Sequence, residues 1–183
     1  ISQFDIENTL RFNNGLTLLT VTAGELLAII EHGVSESEPG ATPGRFPQVG
    51  GMRFSFDPSF PANARVRSMA IVDDAGAIID TVVMDGAVVG DPARTFRIVT
   101  LGFLAGGGDG YPFPTTGRID LEDEGLPDSK ITFAPAGSEQ HALALFLRDV
   151  FPAETPFDSA EVGPDMDTRI QDLSQRTDTV LDD

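Results

Sequence analysis

The sequence predicts an α+β domain on three observations. Apolar and polar residues alternate in short runs such as Met52-Arg-Phe-Ser-Phe56. Apolar residues recur at helical spacing behind capping residues, as with Leu26, Leu27, Ile29 and Ile30 after Thr22. A glycine-rich turn, Gly106-Gly-Gly-Asp-Gly110, follows directly on a strand-like run. Period two places alternate side chains on one face of a strand, and a period near 3.6 builds one apolar stripe on a helix. With 183 residues, 40% of them hydrophobic and 22% charged, the chain suits one packed domain, here residues 1–152, followed by a tail.

In chain order, residues 4–10 read as a short helix, and Leu16-Thr-Leu-Leu-Thr-Val21 reads as a strand rich in branched residues. Thr22 and Glu25 form a capping box, because the hydroxyl and the carboxylate three residues on can each satisfy a backbone donor that the first helical turn leaves open. A helix starts there and stops at Gly33. The Ser-, Glu-, Pro- and Gly-rich stretch up to Gly44 is a loop. Met52, Phe54 and Phe56 alternate with Arg53, Ser55 and Asp57, which predicts a half-buried strand.

Residues 65–72 and 77–84 flank Asp73-Asp-Ala-Gly76 and predict a hairpin. Residues 95–101 predict another strand and 131–133 a short one. Ser138 caps a helix whose Leu143, Phe146, Leu147 and Val150 share a face, and Pro152 ends it. From 153 to 183 the chain turns polar, with Pro156, Pro164 and several Asp. That stretch is expected to be an acidic tail, ordered near the domain and frayed beyond, with only 167–173 packing locally. Cutting the chain after Val150 is expected to leave the fold largely intact.

Composition excludes several functions. The formal net charge is −17 and Lys130 is the only lysine, so DNA, RNA and acidic membrane surfaces would be repelled. The absence of Cys excludes disulfides, thiolate metal sites and thiol catalysis. No apolar run approaches the roughly 20 residues of a membrane span. Ile1-Ser-Gln-Phe4 lacks the form of a signal peptide, and the start is expected to be an internal boundary of a longer gene product.

Motifs for common chemistries also fail. After Gly106-Gly-Gly-Asp-Gly110 no Gly-Lys-Ser/Thr follows, so a triphosphate loop is excluded, and Tyr111 stands where a dinucleotide fingerprint needs its third glycine. On composition the turn is a tight backbone reversal. Asp120-Leu-Glu-Asp-Glu-Gly125 partly mimics a calcium loop, but Ile131 occupies the place of the bidentate Glu. The two histidines, His32 and His141, fall on separate predicted helices without acidic partners at ligand spacing, and read as core-edge or surface residues. There is no Gly-x-Ser-x-Gly elbow. No catalytic and no metal-ligating residue is therefore assigned.

Four blocks, in this order, resemble the C-terminal domain of the 5'-nucleotidase and UDP-sugar hydrolase family with its 2',3'-cyclic-nucleotide phosphodiesterase relatives. They are Asn8-Thr-Leu-Arg-Phe-Asn-Asn-Gly15, Glu31-His-Gly-Val-Ser35, Gly44-Arg-Phe-Pro-Gln-Val-Gly-Gly51 and Phe103-Leu-Ala-Gly-Gly-Gly-Asp-Gly-Tyr111. The resemblance covers roughly residues 4–113, is looser over 131–150, and in the tail Asp167-Thr-Arg-Ile-Gln171 looks like large secreted bacterial phosphoesterases. It implies a layered α+β fold with helices covering mixed β-sheets.

It further implies nucleoside or nucleotide binding, with Phe12 and Phe103 stacking on the base across a groove, Asp109 holding the ribose and Gly44 in the substrate loop. No cofactor is implied for this chain. Two divalent metals are implied in an N-terminal metallophosphoesterase domain of the same polypeptide, outside this sequence, which would cut the phosphate ester. The isolated chain is then inactive, and the parent is an extracellular, periplasmic or cell-surface bacterial protein. Three departures stand out: Arg11 replaces the family's Pro, Gly106 stands where some relatives carry Asn, and the Asn-Gly-Gly-Gly-x-Arg segment with its phosphate-binding Arg is absent from this sequence. Two alternatives stay open, a non-catalytic nucleoside- or carbohydrate-binding module and a structural domain of a surface protein. For Phe12 and Phe103 the alternative is ordinary core packing.

Overall fold

The computed structural model describes residues 1–38, 43–125, 131–158, 160, 162–163 and 165–182. Its elements run α1 (Gln3–Thr9), β1 (Leu16–Thr22), α2 (Ala23–Val34), β2 (Met52–Phe56), β3 (Val66–Val72), β4 (Ile78–Met84), β5 (Ala87–Val88), β6 (Thr95–Leu101), α3 (Gly102–Ala105), β7 (Ile119–Asp120), α4 (Glu139–Val150) and β8 (Ile170–Asp172), with a 3-10 turn at Gly108–Gly110. The strands form two sheets, ordered β6-β1-β7 and β5-β4-β3-β2-β8. The chain divides into two compact units, residues 1–20 with 97–160, and 21–96 with 161–183.

In the first unit α1 starts on a capping box that the sequence reading did not identify. Ser2 caps the helix, and Asp5 Oδ2 accepts from the Ser2 backbone N–H at 2.7 Å and from its hydroxyl at 2.8 Å. The backbone bond, then the hydroxyl bond, hold the Asp5 carboxyl below the ordinary aspartate range. The helix packs beside α4 with Ile6 and Ala144 buried. Ser138 caps α4, as its sequence predicts.

The buried face of α4 differs from the expected one. Gln140, His141 and Ala144 are buried, whereas Phe146 and Val150 are about half exposed. The first turn is held by polar bonds, described below, and these rather than the apolar stripe set its rotation. Residues 131–133 form no strand. The third strand of the sheet is instead Ile119–Asp120, where the Thr17 hydroxyl donates to Asp120 Oδ1 at 2.7 Å.

The second unit is built on the five-stranded sheet, antiparallel except where β8 runs parallel to β2. Phe54, Val66, Met69, Val82 and Val83 are fully buried, and α2 adds Leu26, Ile29, Ile30 and Val34. The Thr22–Glu25 capping box is present at the start of α2, which runs one residue past the predicted stop at Gly33. Glu31 is buried because it accepts from the Arg65 and Val66 backbone N–H groups at 3.0 and 2.9 Å. Burying a carboxylate is tolerable only with such partners.

Strand β2 is buried on both faces rather than one. Ser55 is fully buried and donates to Asp178 at 2.6 Å while accepting from the Ser68 N–H at 3.0 Å. The partner comes from the C-terminal stretch, so the expected frayed tail is corrected there: β8 pairs along β2, and Gln171 and Val180 are fully buried. Its polar composition misled because buried polar groups find partners. Gln171 Oε1 accepts from the Thr179 N–H at 2.9 Å and Gln171 Nε2 donates to the Thr168 carbonyl at 3.0 Å.

Candidate functional site

Phe12, Phe103 and Asp109 all lie in the first unit, while Gly44 belongs to the second. Helix α1 closes at Leu10, and Asn13 then takes a left-handed backbone, φ 46°, with its N–H donating to the Leu10 carbonyl at 3.0 Å. Asn adopts that conformation more readily than most residues. The turn leaves Phe12 82% exposed. The Arg11 guanidinium lies over its ring, 5.9 Å from the centroid.

The Phe12 turn is anchored by the first turn of α4. The Asn14 backbone and side-chain amides donate to Glu139 Oε1 at 2.7 and 3.0 Å, and the Glu139 N–H returns to the Asn14 carbonyl at 2.9 Å. Buried Gln140 donates through Nε2 to the Leu10 carbonyl at 2.8 Å. The segment carrying Phe12 is thereby fixed on both sides by hydrogen bonds to one helix end, without the ring being packed.

Phe103 stands on α3, immediately after β6. The Gly102 N–H donates to the Gly15 carbonyl at 2.7 Å, and a Cβ on Gly102 would come within 3.2 Å of that oxygen. A side chain at 102 would crowd this approach. Gly15 lies three residues after Phe12 and Gly102 one before Phe103, so this bond joins the segments that carry the two rings. Phe103 is 55% exposed. Core packing therefore does not account for either phenylalanine.

The glycine-rich turn returns the chain toward that ring. Gly107, Asp109 and Gly110 have φ of 93°, 52° and 75°, left-handed values natural to Gly and tolerated by Asp. Gly108 lacks a positive φ and answers a different constraint. A Cβ there would lie 2.5–2.6 Å from Cδ1, Cε1 and Cζ of Phe103. Exposed Asp109 follows directly, so the turn that receives the Phe103 ring also carries a carboxylate. Beyond it, buried Tyr111 stacks on Phe113 with centroids 5.5 Å apart. Arg118 donates to the Ala105 carbonyl at 2.7 Å, which holds the end of α3.

Gly44 sits exposed in a turn closed by the Phe46 N–H on the Pro43 carbonyl at 2.9 Å, and a Cβ there would meet no atom of the described residues within 4 Å. Phe46 packs edge-on against buried Phe56 at 5.7 Å, which ties the turn to the core of its own unit. The preceding residues 39–42 lie outside the described residues. So do residues 126–130 of the calcium-like loop; its first residue, Asp120, is already engaged by Thr17.

Among the described residues no three His, Cys, Asp or Glu side chains are placed to hold a metal ion. His32 stands on α2 and buried His141 on α4, in different units. Sequence reasoning named both rings and the carboxylate as candidates but gave no role to Glu139, Gln140 and Gly108. The only signal for the first two was their place directly after the cap Ser138.

Comparison with known proteins gives one consistent picture. The family model described as 5'-nucleotidase, C-terminal domain, matches residues 1–116. The trifunctional nucleotide phosphoesterase protein YfkN of Bacillus subtilis (strain 168) is 30% identical over 127 residues, which is 69% of this chain and 8% of that protein. The crystal structure of a 5'-nucleotidase precursor from Thermus thermophilus superposes with a TM-score of 0.67 at 26% identity, covering 93% of this chain and 27% of the other. The NAD nucleotidase of Haemophilus influenzae shares the fold, with a TM-score of 0.64 at 14% identity over 97% of this chain and 27% of that one. The chain thus spans only a small part of each relative's length.

Proposed function

We propose, from the premise that this chain belongs to the family of 5'-nucleotidase C-terminal domains, that it holds the nucleoside part of a nucleotide for a phosphoesterase. One observation carries the reading: Phe103, half exposed on α3, has its ring against Gly108 in the turn that carries Asp109. A ring face offers a base roughly 1–3 kcal/mol of stacking whatever its hydrogen-bonding edge, so the site accepts purines and pyrimidines. Phe12 supplies the second face. Asp109 accepts from the ribose hydroxyls, while the substrate-loop role of Gly44 rests on the family resemblance alone.

Cleavage is assigned to a metallophosphoesterase domain of the same polypeptide, in which two divalent metals would supply an activated water. Among the described residues no three His, Cys, Asp or Glu side chains are placed to hold a metal ion, and no step of the reaction is assigned to this chain. The parent is proposed to be a 5'-nucleotidase-type hydrolase acting outside the cytoplasm. No described helix is long and apolar enough to cross a membrane.

Calorimetric titration with adenosine, uridine and 2'-deoxyadenosine tests the reading. The chain is expected to bind adenosine and uridine alike and deoxyadenosine more weakly. Asp109→Asn, which keeps a residue tolerant of the left-handed backbone, should remove the ribose preference at a cost of about 1.5–3 kcal/mol. No binding, or equal affinity for ribose and deoxyribose, would contradict it. With AMP and zinc or manganese, the chain alone should release no phosphate.

A further inference from the structure

The Cβ built on Gly108 is almost equidistant from three consecutive ring atoms of Phe103, at 2.5, 2.6 and 2.6 Å. An edge-on approach would leave the two flanking carbons clearly farther away than the middle one. The bare Cα of Gly108 therefore faces the flat side of the ring. One face of Phe103 is seated on the turn, while the residue as a whole is 55% exposed.

Gly108 differs here from its neighbours. Gly107 and Gly110 are required by their left-handed backbone, and a Cβ on Gly107 would meet no atom of the described residues within 4 Å. At Gly108 the backbone φ would accept an L side chain, and the nearest atoms it would meet are those of the Phe103 ring. A side chain there could be accommodated by swinging the ring about its own χ angles, away from its seat. The substitution would thus move Phe103 while the fold stays intact.

We infer that Gly108 is a positioning residue for the nucleoside site. By leaving room for the ring to lie face-down on the turn, it fixes which face of Phe103 meets the base and where that face stands relative to Asp109, the next residue. This rests on the proposed role of Phe103 as a stacking platform. Gly108 itself touches no ligand. Its effect passes entirely through the ring, which gives it a signature that neither a direct contact nor a general fold defect would share.

The test is a double-mutant cycle on the whole chain, with adenosine affinity measured by calorimetry and folding checked by circular dichroism. Phe103→Ala is expected to weaken binding by roughly 5- to 150-fold, the loss of one stacking contact. Gly108→Ala is expected to weaken it by at least about fivefold with the melting temperature nearly unchanged. In the F103A background, G108A should add nothing, because contacting residues couple while independent ones add. Binding by G108A equal to the parent, or losses that multiply in the double variant, overturns the inference and leaves the stacking reading standing. An unchanged affinity for F103A overturns the stacking reading itself.

A second measurement needs no substitution at 108. Protons above an aromatic face are shielded, so the Gly108 Hα resonances should lie upfield of ordinary glycine and return toward it in F103A. Gly108 resonances that F103A does not move would overturn the seating of the ring.

Discussion

In the second unit Phe54 and Phe56 of β2 are 0% and 4% exposed, whereas in the first Phe12 and Phe103 stand at 82% and 55%. The two pairs are held by different means. β2 lies between β3 and β8, and its aromatics are placed by close apolar packing around them. Phe12 and Phe103 ride on segments whose backbone is fixed by polar anchors: Glu139 and Gln140 behind the Phe12 turn, and the Gly15–Gly102 bond behind Phe103. Packing would draw an aromatic ring inward. Anchoring the backbone instead keeps it at the surface, where it is able to meet a ligand.

The sharpest way to break this contrast is to remove the support of the packed pair. Deleting residues 161–183 takes away β8, the buried Val180 and the Asp178 acceptor of Ser55. The melting midpoint should fall by more than about 10 °C, since several kcal/mol are lost from a domain of this size. A midpoint within about 2 °C of the parent would show that β2 is stable without its C-terminal partner. At the small end, Arg11→Ala removes an exposed cation–π contact with Phe12, worth about 0.5–1 kcal/mol. Calorimetry should find nucleoside affinity changed by no more than that. A larger loss would mean that Arg11 contacts the ligand directly.

Much of the fold was legible where periodicity and capping act locally. The Thr22–Glu25 box, the turn of the 66–84 hairpin and the Ser138 cap depend on residues within a few positions of each other, so the sequence carries them whole. β8 was not legible, because Gln171 and Asp178 look like surface residues until the strand and the buried hydroxyl that receive them are known. The same holds for α4, whose rotation is set by loop residues 125 to 130 positions away rather than by its apolar stripe. Phe103 and Asp109 could be named through family resemblance, but the seat of the ring on Gly108 required coordinates. In the sequence Gly108 is one of three consecutive glycines, and nothing separates a glycine needed for its backbone from one needed for its lack of a side chain.

The central claim is that exposed Phe103 serves binding and buried Phe54 serves folding. It is tested most directly by measuring both properties on Phe103→Ala and Phe54→Ala. Phe54→Ala should cost about 3–5 kcal/mol of stability in urea unfolding, as truncation of a core aromatic does. Phe103→Ala should leave stability within about 0.5 kcal/mol of the parent and weaken adenosine and uridine alike by about 1–3 kcal/mol. A Phe103→Ala variant that binds both nucleosides with parental affinity, or that loses stability as Phe54→Ala does, would contradict the account.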